Sequence, residues 1–201
     1  MCTITLNRPE KANSLTSAML ETLVAAVETS SAKAKVLVLA GTGNVFSAGA
    51  DLDEARTGLA TSPLWERLSG AVAQSPCLTI AALNGTVAGG AIGMVLACDL
   101  RVSVPGAKFF YPVMRLGFLP QPSDPKRLSA LIGPARAKMI LMAGQKIGAD
   151  EALSWGLVDR LAEPEHLMQA VSELAHDALA ASPAHIAAIK AMVGTLSRPD
   201  Q

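Results

Sequence analysis

Aromatic side chains are scarce in this chain, at 3% of 201 residues and with a single tyrosine. Proteins that bind single-stranded nucleic acid stack bases on rings, so no nucleic-acid partner is expected. There is no excess charge of either sign either. Lysine and arginine number 17 against 17 acidic residues, which leaves no overall field to draw a polyanion or an anionic membrane. Cysteines are few and unpatterned: Cys2, Cys77 and Cys98 are odd in number and lack Cys-x-x-Cys or other metal spacing. That argues against a disulfide framework and against a metal site, and makes a reducing, cytoplasmic setting the expectation. Long hydrophobic runs are missing as well. The most apolar stretch, residues 88–98, carries Gly89, Gly90 and Gly93 and is too short to span a bilayer. No basic segment leads into an apolar one at the start, so no membrane partner is expected.

What is present is an apolar half, 50% of the residues, enough at this length for one domain with a continuous core. Its distribution is periodic. Residues 3–6 alternate and stop at Asn7-Arg8-Pro9, where proline ends a strand. Ser14 is placed to cap a helix whose apolar face is Leu15, Met19, Leu23 and Val27, ending near Ser31. Residues 36–39 form a continuous apolar run, the mark of a parallel strand buried on both faces. Residues 78–83 and 100–104 read the same way, and an amphipathic helix is expected around Leu64, Leu68 and Val72. From Lys126 the pattern turns helical, broken at Gly133-Pro134 and Gly156, with a short strand over 157–161 and helices over 165–181 and from Pro183 to about Thr195. A polar tail closes the chain.

Two glycine-bearing turns interrupt this repeat. Phe46-Ser47-Ala48-Gly49-Ala50-Asp51-Leu52 and Asn84-Gly85-Thr86-Val87-Ala88-Gly89-Gly90-Ala91-Ile92-Gly93 each follow a strand and open into a helix. Amides at such a junction point outward unpaired and can hold negative charge developing on a carbonyl oxygen. The pair reads as a two-part oxyanion hole.

These turns, with Leu6-Asn7-Arg8-Pro9, Cys98-Asp99-Leu100-Arg101 and Trp155-Gly156-Leu157-Val158 in this order, resemble the enoyl-CoA hydratase/isomerase (crotonase) family. The resemblance covers nearly the whole chain. It implies an α/β fold, a crotonase-like spiral of ββα units with a helical C-terminal region, organised as a single domain with a core over 1–125 and a helical part over 126–201. Compared with the family, that domain is shortened at both ends. The resemblance also implies a trimer or dimer of trimers, an acyl-CoA thioester as partner, and no cofactor beyond the CoA carried by the substrate. Ala50 and Gly90 would give the two backbone donors to the thioester oxygen, and Ala48, Asp51 and Leu52 would lie along the CoA groove.

Within that resemblance the proton-moving residues are displaced. The first hydratase glutamate falls on Gly93, the second on Val113, and the aspartate of some isomerases and dehalogenases on Gln121. Hydration of a double bond needs a base and an acid, each worth about 10²–10⁴-fold, so a two-glutamate hydratase is not expected. Two substitutes stand nearby. Asp124 reads as a helix N-cap ahead of Pro125, or as the proton carrier. Tyr111 reads as a core residue with a satisfied hydroxyl, or as a donor near the acyl pocket. His166, His176 and His185 read as solvated or capping, Cys98 as an inert buried thiol, Asp99 as a structural acceptor, and Glu66 as part of a solvated face. Two functions remain: enolate chemistry such as double-bond isomerisation, or non-catalytic acyl-CoA binding, which an apolar lining of Gly93, Val113 and Met114 would also suit.

Overall fold

The expected repeat is built from paired strands that part company. In the computed structural model, which describes residues 1–195 with side chains through Val193, the longer strands are β1 (Cys2–Leu6), β2 (Val36–Gly41), β4 (Leu78–Leu83), β6 (Leu100–Ser103) and β9 (Arg160–Leu161). They form an all-parallel sheet in the order β1-β2-β4-β6-β9. β2, β4 and β6 are each followed by a shorter strand: β3 (Val45–Ser47), β5 (Thr86–Ala88) and β7 (Lys108–Phe110). These leave the first sheet and pair with one another, with β8 (Ile147–Gly148) added antiparallel at the end. The α/β spiral of ββα units is therefore the fold of this chain. β2 is buried along its first four residues because parallel neighbours and helices cover it on every side. The outer edge of β1 pairs with no strand among the described residues.

The helices are α1 (Ser17–Ser31), α2 (Leu52–Arg56), α3 (Leu64–Ala73), α4 (Ala91–Leu96), α5 (Val113–Leu116), α6 (Asp124–Ile132), α7 (Pro134–Leu141), α8 (Ala149–Trp155), α9 (Leu167–Ala180) and α10 (Pro183–Thr195). Boundaries differ from the sequence reading by a few residues, and two of the differences have a visible cause. Thr16 caps α1, its Oγ1 accepting from Met19 N at 3.2 Å, because Ser14 is engaged by the Arg8 guanidinium at 3.2 Å. The strand expected over 157–161 shrinks to β9, because the Leu157 and Val158 amides still bond Ala152 O at the end of α8. The polar tail lies outside the described residues. No described helix is long and apolar enough to cross a membrane.

One core runs through both sheets. Phe46 on β3 and Phe109 on β7 are fully buried beside Leu20 of α1, Leu37 of β2, Leu68 of α3, and Ile80 and Leu83 of β4. The short strands thus anchor the turns that follow them to the centre of the protein. Burial of each such side chain contributes about 1.5–3 kcal/mol.

Candidate active site

The loop from Arg8 to Leu15 shapes the first turn. Asn13, wholly buried and held at φ +52°, donates through Nδ2 to Thr42 O and Val45 O and accepts from Arg8 N. Leu15 then brackets Ala50: Leu15 N donates to Gly49 O and Asp51 N donates to Leu15 O, each at 2.8 Å. In a parallel bridge the flanking residues make the bonds, so the Ala50 amide faces the other way and has no hydrogen-bond partner among the described residues.

The second turn mirrors it. Gly89 N donates to Phe110 O at 3.1 Å, and Gly90 follows at the start of α4 with its amide unpaired among the described residues. α4 has only six residues, so local free amides rather than a long helix dipole supply the positive charge. The two turns touch. A Cβ on Gly49, already at φ +91°, would lie 2.8 Å from Ala88 O, and one on Gly90 would meet the Trp65 ring at 2.8 Å. Side chains are excluded there by contact, and two free amides are left at adjoining turns.

Beside them lies a carboxyl group that the chain does not neutralise. Asp124 is 1% exposed. Its Oδ2 accepts from the Tyr111 hydroxyl at 3.0 Å, and its Oδ1 is buried without a hydrogen-bond partner. That free oxygen faces α4: a Cβ added to Gly93 would lie 2.7 Å from it. Gly93 is three residues after Gly90, and residues so spaced on a helix are neighbours at about 5–6 Å. Burial pushes the Asp124 carboxyl up to about 6, against the pull of Tyr111 and Arg127. Tyr111, itself buried, is held well above the usual phenol range by burial and then by Asp124. The arrangement can polarise a carbonyl through two amides and exchange a proton through a carboxyl that burial holds above the usual carboxylate range.

The model of the enoyl-CoA hydratase/isomerase family matches residues 1–201. This chain belongs to that family. The short-chain-enoyl-CoA hydratase of Clostridium acetobutylicum is 32% identical to it over 192 residues, covering 90% of the chain and 72% of that relative. The 4-chlorobenzoyl coenzyme A dehalogenase-2 of an Arthrobacter species is 35% identical over 197 residues, covering 92% and 71%. Among solved structures, the enoyl-CoA hydratase from Bacillus anthracis superposes with a TM-score of 0.89 at 32% identity, covering 98% of this chain and 80% of that one.

Other residues singled out in this hydratase/isomerase-family chain are spread differently. Ala48 is exposed at the first turn and Leu52 is 76% exposed. Asp51 is turned inward: Arg8 Nη1 lies 2.6 Å from its Oδ2, and its Oδ1 accepts from Asp53 N at the start of α2. The Arg8 hydrogen bond holds its carboxyl below the usual range. Val113 is buried, whereas Met114 is 57% exposed, so the apolar lining proposed from sequence is not gathered in one place. Gln121 offers only its backbone, the amide donating to the Tyr111 hydroxyl at 3.4 Å. The three histidines are exposed in the C-terminal third. Cys98 is buried, and burial pushes its thiol up to about 12. Asp99 is the structural acceptor expected, taking bonds from Thr79 N and Oγ1 and from Lys190 Nζ at 2.8–2.9 Å.

Asp124 departs from its N-cap reading. Ser123 holds the cap position without a side-chain cap bond, and Asp124 turns away from its helix toward Gly93. Glu66, read from sequence as part of a solvated face, is half-buried instead, and its carboxylate accepts from Ser123 N at 3.2 Å and from the Ser123 hydroxyl. Sequence reasoning passed over Trp65, whose Nε1 donates to Leu59 O at 2.8 Å while its ring abuts Gly90. The only local signal for either was the amphipathic face of α3. A cavity of about 800 Å³ lined by Leu78, Leu100, Ile186 and Lys190 opens at the amino ends of β4 and β6, the opposite end from the two turns.

Proposed function

We propose that this protein is an acyl-CoA double-bond isomerase that uses one carboxyl group for both proton transfers. The Ala50 and Gly90 amides hold the thioester oxygen of a 3-enoyl-CoA. Asp124 takes a proton from C2, the electrons move into the carbonyl, and the amides stabilise the enolate by an estimated few kcal/mol. The carboxylic acid so formed returns the proton to C4 and leaves the 2-enoyl-CoA. Tyr111 holds Asp124 through Oδ2, which leaves Oδ1 for the transfer. Ala48, Asp51 and Leu52 border the CoA groove from the first turn, with Asp51 fixing the turn through Arg8. A homo-oligomer, trimer or dimer of trimers, in the cytoplasm is part of this reading.

The observation that carries it is the free, buried Oδ1 of Asp124 against Gly93, where the family resemblance locates the first hydratase glutamate. One carboxyl at that place suits a proton shuttle, whereas hydration requires a second acid or base. The test is to incubate the protein with 3-enoyl-CoA and, separately, with crotonyl-CoA. Isomerisation that is lost in Asp124→Asn supports the proposal. Ready hydration of crotonyl-CoA, or isomerisation that survives Asp124→Asn, contradicts it, and binding of acyl-CoA with neither reaction would mark a non-catalytic binder.

A further inference from the structure

Asp124 opens α6 but does not serve it. A residue at a helix start normally turns its side chain back to accept from the first free amides. Here the acceptor comes from another helix. Both carboxylate oxygens of Glu66 on α3 are occupied by Ser123, Oε2 by the backbone N–H at 3.2 Å and Oε1 by the hydroxyl. One turn further along, Arg127 Nη1 donates to Ser69 Oγ at 2.9 Å. α6 is therefore clamped to α3 over successive turns. The neighbouring residue on α3, Trp65, packs on Gly90, so one turn of α3 touches both the second oxyanion turn and the residue before Asp124.

We propose that Glu66 is the positioning residue of this site: by capping α6 from outside through Ser123, it frees the Asp124 side chain to face Gly93, and it brings a second carboxyl group to the residue beside Asp124. This rests on the reading of Asp124 as the proton carrier and adds what sets its position and charge. The groups acting on Asp124 are few. Tyr111 approaches from the end of β7, Arg127 from its own helix and Glu66 from α3, while α4 presents Gly93. Arg127 favours the ionised form and Glu66 opposes it. A carboxylate near a second carboxyl raises the latter's proton affinity.

The test is ¹³C NMR titration of the side-chain carboxyl groups in the full chain, with Asp124→Asn to assign the signal, in wild type, Glu66→Gln and Glu66→Asp. Glu66→Gln is expected to lower the proton affinity of Asp124 by about threefold, while Glu66→Asp, which keeps the charge, stays nearer wild type. An unmoved or raised affinity in Glu66→Gln overturns the proposal, as does an equal fall in both variants, which would assign the effect to packing.

Kinetics separate the two readings. In Glu66→Gln, kcat for 3-enoyl-CoA isomerisation should fall at unchanged KM, and the acid limb of the pH profile should move to lower pH. If wild type turns over no 3-enoyl-CoA but Asp124 still responds to Glu66→Gln, Asp124 loses its catalytic role and the positioning by Glu66 stands. If wild type isomerises and the Asp124 titration ignores Glu66, the positioning claim alone falls.

Discussion

Asp51 and Asp124 are both buried aspartates at helix starts, 9% and 1% exposed, yet they ionise in opposite directions. Asp51 is paired with Arg8 and caps α2 through Asp53 N, so its charge is satisfied and its carboxyl is held low. Asp124 has Tyr111 on one oxygen and nothing on the other, and its helix is capped by Glu66 instead. Burial costs little when the charge is paired and shifts the group toward its neutral form when it is not. The first aspartate holds a turn in place. The second is held in place by other residues, and that difference separates a structural carboxylate from one available to move a proton.

The largest expected effect on this contrast is at Asp124 itself. Asp124→Asn should lower kcat for isomerisation by about 10²–10⁴-fold with little change in KM. Gly93→Ala should come next, because its Cβ would lie 2.7 Å from Asp124 Oδ1. Displacing the carboxyl by even an ångström should cost about 10²-fold in kcat, measurable by the same assay. Tyr111→Phe removes the bond that favours the ionised form, so the acid limb of the pH profile should move upward, with a rate loss on the order of tenfold.

Stability provides a smaller and independent contrast. The folded protein binds a proton on Asp124 more tightly than the unfolded chain, about 6 against an ordinary 3.8. Its contribution is therefore fully present below pH about 4 and is lost as pH rises through about 6, an expected loss of ~1–3 kcal/mol. Urea unfolding at a series of pH values should show that fall in wild type and a flatter curve in Asp124→Asn. Asp51 behaves oppositely. Its lowered carboxyl favours the fold above the ordinary aspartate range, an advantage lost only in strong acid. Asp51→Asn should lower the thermal midpoint at neutral pH and reduce acid sensitivity, with less than about tenfold change in kcat. A larger fall in kcat would mean that the first turn is not held mainly by backbone bonds.

How legible these parts were in the sequence follows from the range of the contacts that make them. The turns at Gly49 and Gly89-Gly90 were readable because close backbone approach leaves a local residue requirement, and the buried runs at 36–39 and 78–83 announced a parallel sheet. Asp124 was harder, since its meaning depends on Gly93, Tyr111 and Glu66, which lie 31, 13 and 58 residues away in the chain and meet it only after folding. With Asx and proline side by side, the local rule favoured a cap, and a distant glutamate took that role. Ser14 and Thr16 repeat the lesson at smaller scale: either could cap α1, and Arg8 decided between them. A glycine where the family resemblance implies an acid signals an empty volume, but not which side chain will fill it.

The most direct test of Asp124 as a proton carrier opposite two backbone donors is deuterium uptake at C2 of a saturated acyl-CoA in D₂O, followed by NMR. Wild type should exchange that proton, faster as pH rises through the Asp124 value of about 6, while Asp124→Asn should bind the thioester and leave C2 protonated. Equal exchange by both proteins, or none by wild type at any pH despite binding, would contradict it.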